Sequence, residues 1–306
     1  MEVRKVVIAV GVLALAVLGG CSSSPGTFET PEAAVAALDE AVSAKSESKL
    51  REVLGSRANE LRSGDAGQDR ADFTAFASKL RQSTRIESVN ESESVLLVGD
   101  EQWVFPAPLV RGEQGWSFDT DAGIEELTTR RIGANELAII DACYSFIDAE
   151  TEYGSRVRDG SGVNQYTARL WSTPGTQDGL YWPTEENEEP SPLGPVMASA
   201  VSGNGSDSYP FYGYFFRSLL QQGPNAVGGA MDYSENGRLV KGIAGVAFPA
   251  EYGQSGIMTF IFSMDGVVYQ RDLGQDTASI ARAMDSFDPA DGWTPVEETL
   301  AVEGGE

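Results

Sequence analysis

The sequence predicts an α+β protein built as two consecutive subdomains, and three features of the pattern lead there. Apolar residues at helical spacing open each half of the chain. Strand-like apolar runs follow them in each half, and Gly-rich turns divide those runs. Helices grouped ahead of strands, twice over, suit segregated helices on antiparallel sheets rather than alternating βαβ units.

Residues 1–20 read as an export signal and not as the start of the fold. Arg4 and Lys5 supply a positive start, and Val6 to Leu18 is almost unbroken apolar sequence. That run falls short of the ~20 residues a spanning helix needs and has the length of a signal core. Leu18-Gly19-Gly20-Cys21 then has the form of a lipobox, with Cys21 as the residue that receives lipid. The expected anchor is therefore the acyl chains on Cys21. Residues 21–29, opening with Ser22-Ser23-Ser24-Pro25-Gly26, are expected to act as a polar tether. The expected location is the cell envelope, lipid-anchored. In a Gram-negative cell Ser22 directs such a protein to the outer membrane.

The N-terminal subdomain is expected over residues 30–133. Thr30-Pro31-Glu32 is a helix start: a hydroxyl cap, proline in the first turn and an acid near the positive end of the dipole. Val35, Leu38 and Val42 then form one stripe. A second helix carries Leu50, Val53 and Leu54, and a third carries Phe73, Phe76, Ala77 and Leu80. Strand-like runs follow at Val95–Val98, Gln102–Val110 and Trp116–Phe118. Helices followed by hairpins that end in a Trp-x-Phe strand resemble the NTF2-like cone.

The C-terminal subdomain is expected over residues 134–294. Asn135 to Tyr153 is the strongest helical pattern, with Leu137, Ile140, Tyr144 and Ile147 on one face and Gly154 as its stop. Gly154 to Gly213 is rich in Gly, Pro, Ser and acids. It reads as loop with short helices at Tyr166–Trp171 and Leu193–Val201. β runs follow at Tyr212–Leu220, Gly242–Pro249, Gly256–Ser263 and Val267–Leu273, with Met264-Asp265-Gly266 as a hairpin turn. Thr277 to Met284 is a closing helix, and residues 295–306 are an acidic tail. A long helix, a Gly-rich loop and an antiparallel sheet, in the order Asn135 to Leu273, are similar to the globular head of type IV pilins and pseudopilins.

Composition narrows the chemistry. The net charge of −24 disfavours nucleic acid and anionic headgroups as partners, so the lipid and not a basic face is expected to hold the membrane. There is no histidine, which removes Ser-His-Asp and Cys-His catalysis and His-ligated metals. Cys143 is the only cysteine besides Cys21, and its apolar helical setting marks it as a core residue. Ser46-Glu47-Ser48-Lys49 has the Ser-x-x-Lys spacing, but the companion Ser-Asp-Asn and Lys-Thr-Gly elements are missing, so a helix start is the plainer reading. No cofactor is implied, save that Asp159, Ser161 and Asn164 could offer oxygens to calcium, with no closing Glu at EF-hand spacing. Glu185, Glu186, Glu188 and Glu189 read as a solvated run. Trp171, Tyr181 and Trp182, in or beside the Gly- and Pro-rich loop, are the aromatics best placed to meet a ligand or partner.

Several motifs together resemble the bacterial envelope family catalogued as domain of unknown function 2950. They include Trp103-Val104-Phe105-Pro106, Arg130 to Glu136, Asp178-Gly179-Leu180-Tyr181-Trp182-Pro183, Tyr212 to Arg217, and Pro249-Ala250-Glu251-Tyr252-Gly253. The 159–164 loop is less acidic here than the family pattern, which weakens the calcium set. The resemblance brings no established activity with it. The leading expectation is a lipid-anchored, non-enzymatic binding or scaffolding module with an envelope protein or glycan as partner. A carboxylate-dependent hydrolase of envelope glycans or peptides, and a pseudopilin-like secretion component, stand as alternatives.

Overall fold

The computed structural model describes residues 24–62, 66–158, 160, 162–184, 188–194 and 210–296. The expected signal, Cys21 and the acidic tail from Glu297 onward lie outside them. The chain divides into two compact units between Leu127 and Thr128, and each is an α+β arrangement.

The N-terminal unit opens with helix α1 (Pro31–Ser43), where Thr30 Oγ1 accepts from the Ala33 N–H at 3.2 Å. Helix α2 (Glu47–Leu54) starts the same way, with Ser46 Oγ accepting from the Lys49 N–H at 3.4 Å. A 3-10 segment (Ser56–Leu61) and helix α3 (Ala66–Gln82) complete the helical layer. The sheet comprises β1 (Thr84–Asn90), β2 (Glu93–Val98), β3 (Trp103–Val104), β4 (Leu109–Gly112) and β5 (Gly115–Phe118). Its order is β1-β2-β4-β5, with β3 also paired to β2, and all pairings are antiparallel. The run expected over Gln102–Val110 is two strands, because Pro106 and Pro108 cannot donate to a ladder. β1 was not expected: nearly all of its side chains are exposed, so it lacks the apolar alternation that marks a strand. Leu38, Val42, Leu54, Leu80, Leu96, Val98, Leu109 and Phe118 form the shared core.

Helix α4 (Thr120–Gly154) begins in the first unit and ends in the second. It starts fifteen residues before the expected Asn135. Its first half is polar and contains Gly123 and Gly133, each of which weakens a helix by about 1 kcal/mol relative to Ala. Gly123 is required by packing, since a Cβ there would lie 2.8 Å from the Ala107 Cβ.

In the C-terminal unit five antiparallel strands run in the order β14-β13-β12-β11-β6. They are β6 (Tyr214–Leu219), β11 (Ala244–Pro249), β12 (Met258–Ser263), β13 (Val268–Asp272) and β14 (Thr294–Pro295). The short strands β7 (Gln221–Gln222), β8 (Met231–Asp232), β9 (Ser234–Glu235) and β10 (Arg238–Leu239) form two small hairpins. Side chains alternate between two cores. Ala247, Phe260 and Phe262 meet Ile139, Cys143 and Phe146 of α4, whereas Val246, Phe248 and Ile261 meet Ala281 of helix α5 (Thr277–Ala283) and Phe287. Both faces are covered, which is why these strands read as continuous apolar runs. Gly266 supplies the positive φ (82°) at the expected hairpin turn.

Two expectations in the connecting segment change. Tyr166–Trp171 is not a helix: its backbone donors and acceptors go outward, with the Tyr166 N–H to Leu239 O and the Tyr181 N–H to Leu170 O, both 2.8 Å. Leu193 and Gly194 are non-helical, and the remainder of the expected 193–201 helix lies outside the described residues.

Candidate functional site

One concavity belongs to the N-terminal unit. α1, α2, the 3-10 segment and α3 stand against Trp103, Phe105 and Pro106 around a cavity of about 460 Å3. That volume is within the range of small-molecule sites. Its wall is mostly hydrocarbon: Leu38 and Val42 from α1, Leu50 and Leu54 from α2, Leu61, and Phe73 and Phe76 from α3. The rings are ordered against one another, with Phe76 stacked on Phe105 at 5.3 Å and edge-on to Trp103 at 6.2 Å. The α3 stripe divides its labour. Ala77 and Leu80 are buried in the core, while Phe73 and Phe76 remain half-buried and face the cavity.

Glu47, Asn59, Arg62, Asp69, Asp72 and Lys79 also line the cavity. Glu47 and Arg62 are bridged at 3.2 Å, and Lys79 pairs with Glu101. Asp69 and Asp72 come from one turn of α3 and so lie on the same wall. Glu47 lines the same cavity from α2, so carboxylates reach it from two elements. Among the described residues, no three His, Cys, Asp or Glu side chains are grouped to hold a metal.

The residues singled out from sequence lie elsewhere. Ser46 is the α2 cap, and the Lys49 ammonium donates to Glu40 at 2.5 Å, so the Ser-x-x-Lys element is a helix start. Of the calcium candidates, Asn164 is exposed, whereas Asp159 and Ser161 lie outside the described residues. The three aromatics do not form one surface. Trp171 is 38% exposed and stands edge-on to Tyr181 at 4.6 Å, but Trp182 is only 8% exposed. Its ring is covered by the Arg158 guanidinium at 5.1 Å, which also lies 5.0 Å from the Tyr153 ring. Glu185 and Glu186 lie outside the described residues, and Glu189 pairs with Arg156 at 2.6 Å. Cys143 is fully buried and unpaired, and burial pushes its thiol well above the ordinary range.

A family model for proteins of unknown function, DUF2950, matches residues 26–296. The chain belongs to this family. No curated protein and no solved structure matches it. Several DUF2950 motif residues have structural duties. Glu136 Oε1 accepts from the Ile257 and Met258 N–H groups at 2.8 and 2.9 Å, and Asn135 Nδ2 donates to Ser255 O at 2.8 Å. Tyr214 Oη donates to Met258 O at 3.0 Å; burial, followed by the neighbouring Glu136 carboxylate, pushes its phenol upward. Asp178 accepts from Thr173 N and Oγ1 and from Thr176 Oγ1 at 2.6–2.8 Å. Burial raises the Asp178 carboxyl, but those bonds outweigh it and hold the group below the usual range.

Glu150 stands apart from these satisfied groups. It is completely buried in α4; Oε2 accepts from the Thr167 N–H at 3.1 Å, and among the described residues Oε1 has no hydrogen-bond partner. Desolvation pushes its carboxyl up to about 8, against the single backbone bond. Helical spacing from Cys143, Phe146 and Ile147 puts Glu150 on the buried face and Asp148 and Glu152 off it, but its charge hides it from a reading of apolar stripes. The cavity is equally hidden there, because helical spacing gives Phe73 and Leu80 the same apparent role.

Proposed function

We propose that this DUF2950 chain is a lipid-anchored envelope protein that binds an apolar or amphipathic ligand, without turning it over, in the cavity of its N-terminal unit. The observation that carries the reading is the cavity itself: about 460 Å3 of space lined mainly by aliphatic and aromatic side chains. Half-buried Phe73, Phe76, Leu50 and Trp103 leave apolar surface in water that a ligand would cover, at about 25 cal/mol per Å2. The absence of histidine from the sequence removes imidazole-based hydrolysis at this site. Anchoring rests on the lipobox at Cys21; no described helix is long and apolar enough to cross a membrane.

The test is a titration of the mature chain carrying Cys21→Ser with N-phenyl-1-naphthylamine, which fluoresces in apolar surroundings. Saturable binding at one site, weakened at least tenfold by Phe73→Gln with unchanged thermal melting, is the expected result. Linear, non-saturating fluorescence, or equal binding by the variant, would overturn the reading.

A further inference from the structure

Building on that binding reading, we propose that the N-terminal cavity takes a long aliphatic acyl chain. Two independent features of the molecule point to this ligand class.

The first is the distribution of polarity. Most of the lining is hydrocarbon from α1, α2 and α3, and of its charged groups Glu47, Arg62 and Lys79 are engaged in ion pairs while Asp72 is exposed. A sugar, a nucleotide or a peptide backbone would leave the donors and acceptors that face the apolar part of this lining without partners, which is disfavoured. An acyl chain has no such groups along its length. Its polar end could stay at the rim in water.

The second is the path of the chain. The described structure begins at Ser24, and the backbone joins the unit almost at once: the Gly26 N–H donates to Val53 O at 3.3 Å, and Phe28 and Trp116 exchange backbone bonds at 2.7 Å. Docking therefore starts inside the stretch expected to be tether. Val53 is adjacent to Leu54, which lines the cavity. Three residue steps separate Cys21 from Ser24, a reach of at most about 10 Å. A lipid on Cys21 thus keeps this unit, and not only the protein as a whole, at the bilayer surface. At such short tether lengths the effective concentration of a tethered group is in the millimolar range. Acyl chains, from Cys21 or from the bilayer, are then the most abundant apolar groups within reach.

The experiment has two arms. In the first, monoacylglycerols with chains from about eight to about fourteen carbons displace N-phenyl-1-naphthylamine from the Cys21→Ser mature chain. Affinity should rise roughly fourfold per added methylene until the cavity is filled, then level off. Dye binding that the acyl series does not displace, or displacement indifferent to chain length, would overturn the acyl proposal while leaving an apolar site standing. Failure of the dye itself to bind would remove both readings. In the second arm, a photoreactive benzophenone side chain replaces Phe73 in the full lipidated protein in its native membrane, and adducts are identified by mass spectrometry. An adduct to the lipidated N-terminal peptide assigns the chain to Cys21, and an adduct to phospholipid assigns it to the bilayer. Either supports the proposal; adducts to protein side chains alone would contradict it.

Discussion

Replacing Glu150 by Gln should stabilise the protein, and most strongly at neutral to mildly alkaline pH. The carboxyl is buried with one oxygen unpartnered among the described residues and is held near 8 against an ordinary value of 4.5. Because the folded state binds this proton more tightly than the unfolded chain, stability is greatest below about 4.5. It falls as pH rises toward 8, where the folded group finally ionises. At ~1.4 kcal/mol per pH unit the loss approaches 5 kcal/mol over the whole window, and about 3 kcal/mol by pH 7. Glutamine keeps an acceptor for the Thr167 N–H and cannot ionise in either state, so the variant should lack this slope. Its amide NH2, without a partner, would return ~1–3 kcal/mol of that gain. Urea denaturation of both proteins at several pH values between 4.5 and 8.5 measures the difference. Parallel pH profiles for the two proteins would refute the account of Glu150 as a buried, protonated acid.

Two further expectations follow from particular contacts. Gly256→Ala would place a Cβ 2.0 Å from the buried Tyr214 hydroxyl and disturb its bond to Met258 O. A loss of about 2–3 kcal/mol in chemical denaturation is expected, and a loss below 0.5 kcal/mol would show that the turn yields freely. Cys21→Ser should move a folded protein from the membrane fraction to the soluble one, since a net charge of −24 repels anionic headgroups. Retention in the membrane fraction would contradict the lipid anchor.

Much of the α+β fold is legible in the sequence where local chemistry and burial agree. Thr30-Pro31 fixes the start of α1, and Ala244–Pro249 and Met258–Ser263 declare themselves because both of their faces are covered. Legibility fails where an element is held by partners distant in sequence. β1 is an exposed edge strand with a register dictated by β2, and the polar first half of α4 is helical despite Gly123 and Gly133. Tyr166–Trp171 is non-helical because Glu150 and Leu239 take backbone N–H groups from it. The candidate site is harder still. Periodicity shows that Phe73, Phe76 and Leu80 share a stripe, but only the third dimension shows that the stripe faces core at one end and open space at the other. Trp182 teaches the converse: in a loop rich in turn residues it is nevertheless a core residue, because Arg158 covers its ring.

The most direct test of the central claim, that the N-terminal unit holds an apolar binding site, is methyl-resolved NMR of the Cys21→Ser mature chain with added N-phenyl-1-naphthylamine. The account predicts saturable shifts confined to cavity methyls such as Leu50, Leu54 and Leu61, with those of Ile139, Ile147 and Ile243 in the C-terminal core unmoved. Shifts centred on the C-terminal core, or none at saturation, would contradict it.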